Sequence, residues 1–214
     1  MPKAKLNNIS LYYEIYGKGY PLLLIGGLGS DCSSWLGIVK GLSLHFKTIV
    51  FDNRGCGRSG IGNDKITVAK MAKDAIELLD FLKIEKAHIL GHSMGGYIAQ
   101  ELAINYSNRV NKLILESTAP VSSERNNALF NDIYAQLKKE GHSKVWFKRW
   151  VELLFSPGLI KGNSFVDAFI DNSLKYPYLQ TADGLVKNQL DIVIMVRRVF
   201  VLLFLPGLLI VKWM

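Results

Sequence analysis

Ala87-His88-Ile89-Leu90-Gly91-His92-Ser93-Met94-Gly95-Gly96 is the stretch that decides the fold. Ala87 to Leu90 is a short apolar run of buried-strand type, and the residues after Ser93 continue to about Asn105 with helical character. A serine between them sits on a tight strand-to-helix turn, where side chains two positions to either side would collide. Glycines at 91 and 95 remove that collision. The start of the following helix presents free backbone N–H groups and the positive end of its dipole, so the N–H of Met94 points at the place where an oxyanion would form. Ser93 is therefore the candidate nucleophile. His92 is expected to turn away from Ser93 and to pack as a core histidine.

Working outward, the same alternation of elements recurs. Ile9 to Tyr16 alternates and is rich in Ile, Leu and Tyr, while Tyr20 to Ile25 is almost wholly apolar after a Gly-Lys-Gly turn. Phe46 to Phe51 is another buried-strand run. Thr67 caps a segment whose Val68, Met71, Ala72, Ala75, Leu79 and Leu82 share one helical stripe. Val110 to Leu115 reads as a strand again. Alternating strands and helices predict an α/β fold with a mostly parallel sheet flanked by helices.

A second oxyanion donor is expected from the loop after an earlier strand. Gly26-Gly27-Leu28-Gly29 follows the run ending at Ile25, which makes the Leu28 N–H the candidate. Gly55-Cys56-Gly57-Arg58-Ser59-Gly60 matches the spacing of a dinucleotide-binding loop, but turn residues Ile61-Gly62-Asn63-Asp64 follow where a helix must open. Nicotinamide binding is excluded on that ground.

Composition sets the class. The 214 residues are 49% hydrophobic and 21% charged, which fits a globular chain with a substantial core. The net charge of +8 is spread among acids such as Glu85, Glu101 and Glu140, without a basic run interleaved with aromatics, so no nucleic-acid partner is expected. Two cysteines, Cys32 and Cys56, and a start without a secretory signal point to a reducing, cytoplasmic setting with free thiols.

Ile25-Gly26-Gly27-Leu28-Gly29, Asp52-Asn53-Arg54-Gly55-Cys56-Gly57-Arg58-Ser59 and Gly91-His92-Ser93-Met94-Gly95-Gly96, in this order and spacing, resemble three signature segments of the α/β-hydrolase superfamily. The similarity is strong from Leu6 to Pro120 and looser to Leu190. It extends to the small bacterial branch of enol-lactone hydrolases, carboxylesterases, cofactor-free haloperoxidase-like enzymes and proline iminopeptidases. The resemblance implies Ser93 as nucleophile, Leu28 and Met94 as backbone oxyanion donors, a small ester or lactone as substrate, and no metal or organic cofactor. It gives Asp52 and Arg54 a structural part. Gly26 departs from relatives that carry histidine there. A non-catalytic binding protein that keeps the pocket is the competing class, with haloperoxidase-like or aminopeptidase-like activity as further alternatives.

Three segments follow from this reading: a core over 1–120, a helical lid over 121–190 and an atypical apolar tail over 191–214. Trp146, Phe147, Trp150 and Phe155 recur at roughly helical spacing in the lid, either as its own packing core or as lining of a substrate cavity; Trp146, Trp150, Tyr176 and Tyr178 make that cavity apolar. In the family the acid and histidine of the triad follow the nucleophile on late loops. None of His45, His88, His92 and His142 stands in such a place, and Glu116, directly after a strand, is a substitute acid or a packed residue. The expectation is a chain truncated before its last strands. The tail has 18 apolar residues in 24, and its unbroken stretch from Val199 to Val211 is 13 residues, short of the roughly 17 to 25 that span a bilayer. A membrane anchor and an out-of-frame extension both remain readings of it.

Overall fold

The structure is a computed structural model, and it describes residues 2–6, 8–160, 164–187, 204–205 and 208–211. Eight strands are present among them: β1 (Lys3–Lys5), β2 (Ser10–Tyr16), β3 (Tyr20–Ile25), β4 (Phe46–Phe51), β5 (Ala87–His92), β6 (Val110–Glu116), β7 (Phe204–Leu205) and β8 (Leu208–Val211). They form one sheet in the order β1-β2-β4-β3-β5-β6-β8-β7. The β3/β4, β3/β5 and β5/β6 pairs are parallel, while β1/β2, β2/β4, β6/β8 and β7/β8 are antiparallel.

Alternation along β3 explains why the sheet is covered on both sides. Leu23 and Ile25 enter one core with Ile49, Phe51 and Ile89, against helices α2 (Val68–Phe81) and α3 (Met94–Asn105), whose helix α1 (Leu36–Leu42) counterpart lies on the other face. There Leu22 and Leu24 pack with Val50, Leu90, Trp35 and Val39. Each such fully buried aliphatic side chain contributes about 1.5–3 kcal/mol of transfer free energy. As the sequence predicts, the Thr67 hydroxyl caps α2 by accepting from the Lys70 N–H at 3.1 Å.

After β6 the chain is helical: α4 (Glu124–Glu140), α5 (Lys144–Leu154), α6 (Pro157–Ile160), α7 (Ser164–Leu174) and α8 (Ala182–Lys187). Serine caps start the first two, Ser123 accepting from the Asn126 N–H and Ser143 from the Trp146 N–H. These helices build their own core from Ile133, Tyr134, Leu137, Trp146, Phe147, Val151, Val166 and Ile170.

β4 lies on one side of β3 and β5 on the other, so the loops leaving β3 and β5 diverge from neighbouring strand ends. Such a reversal opens a crevice at the carboxyl edge of a parallel sheet. Up to β6 the sequence left the short β1 and helix α1 unread, the two glycines of α1 masking its helical pattern. The edge of β6, which the sequence leaves open, is occupied by β8, in register from Leu113↔Val211 to Glu116↔Leu208. Free N–H and C=O groups on a strand edge pair readily with a β-prone apolar run. Apart from β7 and β8, the anchor and frame-shift readings of 191–214 lie outside the described residues. No helix among the described residues is long and apolar enough to cross a membrane.

Candidate active site

Ser93 links β5 to α3 with φ 53° and ψ −118°, and its hydroxyl does not cap the helix. A non-glycine residue at positive φ is strained, and strain of this kind persists where the surroundings over-determine it. Here the surroundings are tight. The Ser93 N–H donates to the Glu116 carbonyl at 2.9 Å, and the Gly96 N–H donates to the Ser93 carbonyl at 2.9 Å. A β-carbon on Gly91 would stand 2.4 Å from the Gly95 carbonyl oxygen, so the collision foreseen from the sequence is real.

The loop after β3 closes on this turn. A β-carbon on Gly27 would stand 3.2 Å from the Ser93 Cβ and 3.3 Å from His92 Nδ1. The backbone beside Leu28 thus passes directly over the serine. Among the described residues, neither the Leu28 nor the Met94 N–H is engaged in a hydrogen bond, and the Ser93 hydroxyl has no partner either. Asn53, 1% exposed, donates from Nδ2 to the Gly26 carbonyl at 2.9 Å. Gln180, 4% exposed, accepts the Gly29 N–H at 2.9 Å, and the Tyr176 hydroxyl donates to the Asp31 carboxylate.

Asp52 and Arg54 hold the scaffold beneath. Asp52 is fully buried and accepts from the backbone N–H groups of Cys32 at 2.7 Å and Arg58 at 2.8 Å, and from Arg58 Nε at 3.0 Å. Arg54 forms a two-pronged pair with Asp74, at 2.8 and 2.6 Å. Burial pushes the Asp74 carboxyl above its ordinary range, with Arg54 working against it. Burial also drives the Cys32 thiol upward, aided by Asp52, which keeps it protonated, and neither Cys32 nor Cys56, both buried, is in a disulfide. The Gly55–Gly60 segment is a run of turns, and the next helix begins only at Val68, which agrees with its exclusion as a dinucleotide loop.

A cavity of about 510 Å³ lies between this loop and the helices after β6. Its walls include Gly29, Asp31, Phe147, Trp150, Tyr176 and Tyr178. Ser93 is not one of them; the cavity starts one residue beyond Leu28. Burial, reinforced by the bond to Asp31, raises Tyr176 to about 12, so its phenol stays protonated. The aromatics of the helices after β6 divide by residue. Phe147 and Trp150 face the cavity, whereas Trp146 does not: its Nε1 donates to the Ile133 carbonyl at 3.0 Å, which fixes it in the helical core. Phe155 is 40% exposed and serves neither purpose.

The histidines are accounted for individually. His92 packs edge-on to Trp35, with ring centroids 6.4 Å apart. His88 lies against Tyr20 and Phe46, and His142 against Trp146 and Phe147. His45 is exposed ahead of β4. Glu116 pairs in register with His92 and gives its backbone carbonyl, not its carboxylate, to Ser93. Gln180 and Asp31 escaped the sequence reading, and Tyr176 entered it only as a cavity aromatic, since no local pattern links residues about 150 positions apart.

A family model described as alpha/beta hydrolase fold matches residues 20–149. The chain belongs to the α/β-hydrolase family. RutD of Azorhizobium caulinodans, a proposed carbamate hydrolase, is 37% identical over 115 residues, 54% of this chain and 43% of that protein. RutD of Agrobacterium fabrum is 30% identical over 166 residues, 75% of this chain and 54% of that protein. The chain spans about half the length of the curated relatives it matches. Among solved structures, the enol-lactonase from Burkholderia xenovorans LB400 superposes with a TM-score of 0.76 at 26% identity, over 88% of this chain and 72% of that one. BpoC of Mycobacterium tuberculosis H37Rv, a proposed non-heme bromoperoxidase, does so with a TM-score of 0.71 at 28% identity, over 88% and 70%. The α/β-hydrolase fold therefore accounts for the whole described arrangement from β2 to β6.

Proposed function

We propose that this α/β-hydrolase acts on a small carboxylic ester or lactone through Ser93. The observation that carries the reading is the Ser93 backbone at φ 53°, on the apex between β5 and α3, with a hydroxyl that has no partner among the described residues and the Gly27 backbone against its β-carbon. In this reading the Ser93 Oγ attacks the carbonyl carbon and its proton passes to a base. The developing oxyanion is held by the N–H groups of Leu28 and Met94. The alcohol departs with a proton, and water then releases the acid from the acyl-enzyme. No step calls for a metal or organic cofactor. All four histidines are described, and none of them hydrogen-bonds the Ser93 hydroxyl in this structure.

The substrate class is supported by the cavity, whose walls Phe147, Trp150, Tyr176 and Tyr178 suit a compact, largely apolar group. Relatives named for lactone and carbamate hydrolysis support the acyl-transfer chemistry. Division into a core over 1–120 and a lid over 121–190 belongs to the same proposal, and the buried Cys32 and Cys56, outside any disulfide, suit a reducing compartment such as the cytoplasm. A competing reading is a pocket that binds without turnover, favoured by a cavity whose lining does not include Ser93. A fluorophosphonate probe decides. Labelling of the folded protein that disappears in Ser93→Ala supports the nucleophile, and no labelling supports binding alone. Short esters, lactones, carbamates and aminoacyl anilides then rank the substrate, and a preference for the anilides would overturn the ester reading.

A further inference from the structure

Three consecutive peptide units of the loop after β3 are each held by a hydrogen bond. The Gly26 carbonyl accepts from Asn53 Nδ2 at 2.9 Å. The Gly27 carbonyl, in the same peptide plane as the Leu28 N–H, accepts from the Ser30 N–H at 3.3 Å. The Gly29 N–H, in the next plane, donates to Gln180 Oε1 at 2.9 Å. The first two anchors come from the sheet body and the loop itself. The third comes from the segment between α7 and α8, 151 residues away.

Gln180 is built into its place. It is 4% exposed, and Gly184 makes room for it: a β-carbon there would lie 3.2 Å from Gln180 Cγ and 2.5 Å from the Gly55 carbonyl oxygen. Its Nε2 is buried and has no partner among the described residues, so half of the amide is left unsatisfied while the other half serves Gly29. A stability role alone would favour a side chain that satisfies both ends or is apolar. Four residues earlier, the Tyr176 hydroxyl bonds Asp31, so the same segment grips the loop at two points.

We infer that Gln180 is a positioning residue for the oxyanion hole, fixing the plane beyond Leu28 so that the Leu28 N–H stays aimed at the space above Ser93. The inference rests on the proposed role of Ser93 and Leu28. It makes alignment of the donor depend on the seating of the 175–181 segment, and hence on the helices that carry it. Oxyanion donors act through preorganisation, and a small misplacement is felt mainly in the rate of the chemical step.

The test uses the full chain with Gln180→Met, which keeps length but removes the acceptor, and Gln180→Glu, which restores an acceptor at the same reach. Amide exchange at Gly29 and the rate of Ser93 phosphonylation at saturating fluorophosphonate are followed together. Gln180→Met should speed Gly29 exchange and slow the maximal phosphonylation rate on the order of tenfold to a hundredfold, at an unchanged half-saturating concentration. Gln180→Glu should recover the exchange protection. Phe155→Ala, at an exposed position that does not line the cavity, is the control and should leave Gly29 exchange and the phosphonylation rate unchanged. Unchanged exchange and unchanged rate in Gln180→Met overturn the inference, as does an equal loss in both Gln180→Met and Phe155→Ala. A wild-type protein that never labels instead overturns the proposed function and the catalytic consequence with it, and Gly29 exchange still decides whether Gln180 holds the loop.

Discussion

A β-carbon on Gly95 would stand 2.0 Å from the carbonyl oxygen of Ile25, so the helix after Ser93 is pressed against the end of β3 with no room for any side chain. Gly95→Ala must push α3 away from the sheet and should cost more than about 3 kcal/mol, seen as a large drop in the urea midpoint. Gly41, in α1 with nothing within 4 Å of its added β-carbon, is the contrast. Gly41→Ala should be neutral or stabilise by roughly 0.4–1 kcal/mol.

Positive φ at Ser93 makes a second comparison possible. Ser93→Ala removes the hydroxyl and keeps the strain, whereas Ser93→Gly removes both. The glycine variant should be more stable than the alanine variant by about 1 kcal/mol in thermal unfolding, and neither should label with a fluorophosphonate. Equal stability would mean that the turn holds no strain.

Arg54 and Asp74 form a buried pair with side chains 1% and 4% exposed. Arg54→Met leaves Asp74 buried without that partner and should cost about 3–5 kcal/mol, while Arg54→Met with Asp74→Leu should recover most of the loss. Denaturant melts of the two variants check this, and an equal loss in both would show that the pair is not the source.

His88 titrates below its ordinary value, because burial disfavours the charged ring and Lys112 adds to the effect. Its Nδ1 is buried without a partner among the described residues, and the ring lies against Tyr20 and Phe46. With the folded pKa below the unfolded one, the unfolded chain binds the proton more readily. Stability from a neutral His88 is therefore full above about pH 6.5 and is lost as the pH falls toward the folded value. The urea midpoint should drop between about pH 8 and pH 5 in the wild type, and less in His88→Phe.

Trp146 and Trp150 stack with centroids 5.4 Å apart but serve different ends. Trp150 lines the cavity, so Trp150→Ala should raise KM for a short ester by more than it lowers the melting temperature. Trp146 is 3% exposed in the helical core, and Trp146→Ala should cost about 3–5 kcal/mol. The reverse pattern would exchange the two roles.

The sequence alone determined the strands Tyr20–Ile25 and Phe46–Phe51, the cap at Thr67 and the turn at Ser93, because each rests on local rules. Apolar runs, a capping hydroxyl and paired glycines need no distant partner to be understood. It also determined that Gly55–Gly60 could not open a helix. What tertiary structure decided is which residues share a space. Trp146 and Trp150 carry the same helical signal, but one is turned toward Ile133 and the other toward Gly29 by the packing of α4, α5 and α7. Gln180 reaches Gly29 only because the helices after β6 return their chain to the sheet's carboxyl edge. Side-chain periodicity records how polar a face is, not what faces it, so the cavity and the third anchor of the loop after β3 exist only in the folded chain.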